Sequence, residues 1–191
     1  MTSVVPQGSK IELSNHNGHH LITIPHSSGS VMRYFIGAFL LFWLGGWFMG
    51  FTSALDNVLS GKGGAFIIFW LGGWTIGGIL VVFTIYRIFR KAVPEQILLN
   101  RPNLAYDTGV PPFNVSLNMH ASNQKGVWKS LFARQKKYEF MPNEIETLQL
   151  RETDSGNRLT IDQGSKRHEL GAGVSEIERE WLYDYIKKNY F

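Results

Sequence analysis

The chain has 191 residues, a formal charge of +4, 44% hydrophobic and 14% aromatic residues, and no cysteine. Zero cysteine excludes disulfides, thiol catalysis, Cys-ligated zinc and iron–sulfur clusters. An 18% charged fraction beside that aromatic content excludes a disordered chain, and the length suggests about one domain.

Residues 1–30 form a polar N-terminal segment with a candidate β-hairpin. Residues 11–14 and 21–24 read as strands around Asn15-His16-Asn17-Gly18-His19, and Asn17-Gly18 is a favoured tight-turn pair. Two arrangements stay open: the hairpin joins a later sheet, or the segment is a polar tail. His16, His19, His20 and His26 crowd this region. No carboxylate is spaced to complete a metal site with them, so they read as polar strand and turn surface.

Residues 31–90 read as a transmembrane helical hairpin. The spans cover about residues 34–55 and 65–86, each an uncharged run of 22 residues. At about 1.5 Å per residue each reaches about 33 Å, enough for a hydrocarbon core of roughly 30 Å. The first run starts after a polar segment and is too long for the apolar part of a signal peptide. The connection, residues 56–64, carries Asp56 and Lys62. The outer flanks carry Arg33, Arg87, Arg90 and Lys91. Basic flanks stay on the cytoplasmic side, so both termini are expected there.

The two spans repeat one another. Residues 38–50 read AFLLFWLGGWFMG and residues 65–77 read AFIIFWLGGWTIG. Nine of the thirteen positions are identical at an offset of 27, and two more exchange Leu for Ile. Because a hairpin reverses direction, this is an inverted repeat about a rough two-fold axis. Trp43, Gly46, Trp47 and Gly50 share one helix face, and Trp70, Gly73, Trp74 and Gly77 form the matching face. The Gly-xxx-Gly spacing lets backbones approach, so an indole from one helix can cover a glycine groove on the other. Three uses of this face stay open. It packs the hairpin internally, it docks a partner helix, or it holds a flat ligand such as a quinone, carotenoid or chlorin. Neither uncharged run holds a histidine or an ionisable group. That argues against an axial haem ligand and against a proton or ion pathway.

Residues 91–191 read as a cytoplasmic domain. Residues 96–99 and 104–107 flank the turn Asn100-Arg101-Pro102-Asn103. Tyr138 and Phe140 alternate with charged neighbours, and Leu148 and Leu150 with polar ones. Asp154-Ser155-Gly156-Asn157 and Asp162-Gln163-Gly164-Ser165 turn the chain between Leu150, Leu159, Ile161, His168 and Leu170. Ser175-x-x-Glu178 is a capping box. It opens a helix whose buried face is expected at Ile177, Trp181, Leu182, Tyr185 and Ile186. A meander of antiparallel strands closed by one C-terminal helix describes an α+β pleckstrin-homology-like barrel or sheet.

The FWLGGW repeat, the strand ending in Ile24-Pro25, and Leu170-Gly171 with Glu180-Trp181-Leu182 together resemble a group of uncharacterised bacterial two-helix membrane proteins with a PH-like part. The resemblance spans most of the chain and is loosest over residues 109–135, which look like an insertion. It implies this architecture and a bacterial cytoplasmic (inner) membrane, and it implies no activity.

Charge is uneven. Residues 87–137 hold nine Lys/Arg against two acids, +7, and residues 138–191 hold seven against eleven, −4. Arg87, Arg90, Lys91, Lys125, Lys129, Arg134, Lys136 and Lys137 are the candidate anionic-lipid patch, with Trp128, Leu131 and Phe132 interleaved. No motif for nucleic acid accompanies the charge. Glu144 and Glu146 read as a solvated strand edge, and Asn114-Val115-Ser116 fits a glycosylation acceptor that a cytoplasmic side makes irrelevant. No GxSxG, HExxH, phosphate loop or dinucleotide fingerprint occurs, so no catalytic residue, metal or cofactor is expected. The chain reads as a non-enzymatic accessory or assembly subunit of a larger membrane complex, partnered by an integral-membrane protein. The alternative is a stand-alone protein that binds anionic lipid headgroups.

Overall fold

Strand signals from both sides of the two spans meet in one β-body. The computed structural model describes residues 4–26, 31–113, 131–154 and 156–191. The chain divides into two units, one of residues 1–27, 92–111 and 133–191, the other of residues 28–91 and 112–132.

In the first unit β1 (Glu12–His16), β2 (His19–Ile24), β3 (Glu95–Asn100), β4 (Asn103–Asp107) and β5 (Lys137–Phe140) form an antiparallel sheet in chain order. The hairpin therefore joins the sheet: Ile22 of β2 pairs with Ile97 of β3, which pairs with Tyr106 of β4. In chain order both long helices fall between these neighbouring strands. The strands form because their apolar residues alternate with period two. Ile22 and Ile24, then Ile97 and Leu99, then Leu104 and Tyr106 are buried, while the residues between them are not.

The expected single meander breaks into two sheets. β6 (Gln149–Thr153), β7 (Gly156–Gln163) and β8 (Lys166–Leu170) make a separate three-stranded antiparallel sheet. Between β5 and β6 lies a short helix, here α3 (Pro142–Ile145). Pro142 has no N–H for a ladder and is preset for a first helical turn. Glu144 and Glu146 thus sit on a helical turn, not on a strand edge. Glu144 Oε2 accepts the Met141 N–H at 2.9 Å, and Ile145 and Leu148 are buried behind it.

The C-terminal helix, here α4 (Glu176–Tyr190), packs on β6 and β7. Ser175 caps it as the spacing predicts. The Ser175 N–H donates to Glu178 Oε2 at 2.7 Å, and the Glu178 N–H donates to Ser175 Oγ at 3.4 Å. Leu182 and Ile186 are fully buried, and Trp181 and Tyr185 partly so. Ile177 departs from the expected face and is 69% exposed. It opens the 177/181/185 row, which flanks the buried 182/186 row. One core joins the sheets and the helix, with Ile22, Ile97, Phe140, Leu159, Leu170 and Leu182 among its members.

The second unit is a hairpin of two long helices, α1 (Met32–Leu59) and α2 (Ala65–Phe89). By the standard rise they are about 42 and 38 Å long. Their most apolar stretches average 1.6 and 2.1 in hydropathy and are 6% buried. They are long, apolar and largely exposed, as membrane insertion requires. The connection is shorter than the nine residues expected, because α1 carries Asp56 and Asn57 in its last turn. Its end is a Schellman motif. The Lys62 N–H donates to Asn57 O at 3.0 Å and the Gly61 N–H to Val58 O at 3.1 Å, with Gly61 at φ +72°. Outside α1 and α2, Phe113 and Leu131 are buried against Ile88, with Ile36, Leu40 and Phe83 packed around them.

Candidate functional site

The two copies of the repeat meet through one indole each. Trp47 Nε1 donates to Trp74 O at 3.2 Å, and Trp74 Nε1 donates to Trp47 O at 3.4 Å. These residues are equivalent across the repeat, so the contact is reciprocal about its two-fold axis. In lipid an indole N–H has no water to bond, and the facing backbone carbonyl satisfies it.

The same two rings lie against two glycines, and at Gly78 the ring leaves no room for a Cβ. A Cβ on Gly78 would fall inside the Trp47 ring, 2.2 Å from its nearest carbon, and one on Gly50 would touch the Trp74 ring at 3.6 Å. At the open end of the hairpin Gly37 lies under Phe89 in the same way. Trp47 also stacks on Phe51, with centroids 5.2 Å apart.

The expected face therefore splits. Trp47, Gly50 and Trp74 serve internal packing. Gly46, Gly73 and Gly77 do not receive an indole, because a Cβ on any of them meets open space, as it does on Gly45 and Gly72. Trp43 and Trp70 are 42% and 38% exposed, and Trp70 leans on Trp74 at 4.2 Å. The result is an open apolar groove of about 670 Å³ along α1, lined by Phe39, Phe42, Trp43, Gly46, Met49 and Trp74 among others.

The β-body holds a polar centre that sequence reading missed. Glu95 is 4% exposed at the start of β3. Its Oε1 accepts the Gly171 N–H at 2.6 Å and lies 2.9 Å from Tyr106 Oη, which is also 3.0 Å from the Glu169 carbonyl. The phenol has one proton and two acceptors. The Tyr106 hydroxyl is the donor, its one proton shared between the Glu95 carboxyl and the Glu169 carbonyl. Burial raises the Glu95 pKa, against the lowering by the Gly171 and Tyr106 hydrogen bonds. Tyr106 is raised too, chiefly by burial and then by Glu95. The group ties β3 and β4 of the larger sheet to the end of β8 in the smaller one. Its sequence signal is slight: Glu95 shares the period of Ile97 and Leu99, so an acid stands on a buried strand face.

Comparison with protein-family models, curated proteins and solved structures finds no match.

The candidate lipid patch does not present all its members. Arg87 is 1% exposed within α2, so its position does not offer the charge to headgroups. Arg90 is half-buried and Lys91 exposed. Arg134, Lys136 and Lys137 are exposed in the β-body unit, and Lys137 lies 3.9 Å from Asp107. Lys125, Lys129, Trp128 and the Asn114-Val115-Ser116 triplet lie outside the described residues.

The histidines diverge. His16 pairs with His19 across the hairpin, whereas His20 Nδ1 lies 3.4 Å from the Tyr185 hydroxyl. Burial pushes the His26 imidazole down, opposed by a hydrogen bond with the Val93 backbone. Among the described residues no group of three or more His, Asp and Glu is placed to hold a metal ion.

Proposed function

We propose that this protein is a non-enzymatic accessory or assembly subunit that docks an integral-membrane partner through its hairpin. The supporting observation is the unused half of the repeat. Trp47 and Trp74 already close the hairpin, yet Gly45, Gly46, Gly72 and Gly73 keep their backbones bare beside the exposed Trp43 and Trp70. Small residues on an outward helix face allow a second helix to approach closely. In this reading the hairpin sits in a bacterial inner membrane with both termini cytoplasmic. The β-body is then a PH-like domain that meets a cytoplasmic partner, and the resemblance to uncharacterised two-helix membrane proteins is consistent with that architecture.

Purification of the tagged full chain in a mild detergent tests the reading. A stoichiometric membrane protein should co-elute, and Gly46→Leu with Gly73→Leu should lose it while the hairpin stays folded. A lone, monodisperse protein would sink the proposal.

A further inference from the structure

β1 is the outer strand of the five-stranded sheet and is exposed along its whole length. Natural edge strands are usually blunted by lysine, proline or a bulge. The sequence of β1, ELSNH, contains no lysine or proline and holds one acid, Glu12. Its turn to β2 is Asn17-Gly18, with φ of +52° and +84°. That is a two-residue hairpin of the primed kind. The flanking residues of such a turn exchange both hydrogen bonds, and pairs alternate from there. His16, Ser14 and Glu12 therefore turn their backbone groups toward β2, and Leu13 and Asn15 turn theirs outward. The outward ladder is bounded on both sides. The Ile11 N–H is already donated to Ser9 Oγ at 3.1 Å, and Asn17 has left the extended region.

We propose that β1 pairs antiparallel with β1 of a second copy of this chain, about a two-fold axis through Ser14. Leu13 and Asn15 of one copy then exchange hydrogen bonds with Asn15 and Leu13 of the other. Ser14 faces Ser14, and Glu12 faces His16 of the second copy, twice. Side-chain complementarity selects this occupant. The acid and the imidazole stand equally far from the middle residue, so each carboxylate meets an imidazole that can donate to it, which is what a self-complementary two-fold edge needs. Shifting the axis to Leu13 or Asn15 draws in Ile11 or Asn17 and sets the acid or the imidazole opposite Ser14 instead. The inference stands apart from the hairpin's role, since it uses only the β-body.

The chain has no cysteine, so one introduced thiol reports only on its twin. A non-hydrogen-bonded antiparallel pair holds its Cα atoms about 4.5 Å apart, within disulfide reach. Full-length S14C in membranes, oxidised with diamide, should run largely as a disulfide dimer. S165C, at the exposed turn after β7, should not. Adding E12K or H16E to S14C should cut the dimer about fivefold, since each removes the carboxylate–imidazole pairs and H16E sets carboxylates opposite one another. Mixing the E12K/S14C and H16E/S14C chains should restore cross-linking between unlike copies. If S14C cross-links no better than S165C, or if the mixed charges restore nothing, the proposal is overturned. A monomer whose edge takes another protein's strand would give the first of those results.

Discussion

Replacing Glu95 tests the buried polar centre most directly. An acid whose folded-state pKa lies above its unfolded value, near 4.5 here, holds its proton more tightly when folded. Its contribution to stability is fully present below the unfolded value and is lost as pH rises through the folded one. Each pH unit inside that window costs about 1.36 kcal/mol for the single proton. Glu95→Gln keeps an oxygen acceptor for both the Gly171 N–H and the Tyr106 hydroxyl but cannot ionise. The variant should therefore match the native chain below about pH 4.5 and gain on it as pH rises above that value. Glu95→Ala instead orphans the Gly171 N–H and leaves a void. An unsatisfied buried donor costs about 1–3 kcal/mol, and a small domain loses about 4–8 °C in Tm per kcal/mol. Thermal unfolding by circular dichroism of the full chain in detergent, at several pH values, reads all of this. A native-minus-Gln difference that stays flat with pH would refute the raised pKa of the acid. A harmless alanine would refute the clamp.

The hairpin offers a pair of neighbours with opposite expectations. Gly78→Ala must displace the Trp47 ring and its bond to Trp74, costing about 1–3 kcal/mol, whereas Gly77→Ala meets open space and should leave folding unchanged. Titration with SDS in mixed micelles compares them. Trp47→Phe removes one interhelical hydrogen bond and should cost about 0.6–1.7 kcal/mol in the same assay. In the β-body, Ser175→Ala removes the cap of α4 and should lower stability by about 1 kcal/mol, read as a loss in Tm.

Local chemistry was readable in the sequence wherever one segment determined it. The strands predicted at 21–24 and 96–99, the Asn17-Gly18 turn and the Ser175 capping box all recur as expected. What sequence did not reveal depends on residues far apart in the chain. Glu95 looks like a surface acid until Gly171, 76 residues later, is seen to donate to it. The break into two sheets hangs on the burial of Ile145 and Leu148, which no local pattern assigns. Ile177 has the right spacing for the core and misses it, because α4 presents only one row of its stripe to the sheets.

The repeat shows how far periodicity alone carries. It places Gly46, Gly50, Gly73 and Gly77 on matching faces, but a repeat cannot say which glycine its partner's ring will cover. The structure breaks the equivalence. Trp74 touches Gly50, while Trp47 covers Gly78, whose counterpart at the offset of 27 is Phe51, the ring on which Trp47 stacks. Trp47 is thus held by a phenyl ring on its own helix and a glycine on the other. That difference, one position beyond the repeat, seats the ring between the helices. The duplicated glycines at 45–46 and 72–73 have no such ring over them, so internal packing does not explain why both copies carry them. On the proposal of an external partner helix, Gly46→Leu with Gly73→Leu should abolish partner binding, where Gly78→Ala should instead weaken the hairpin itself.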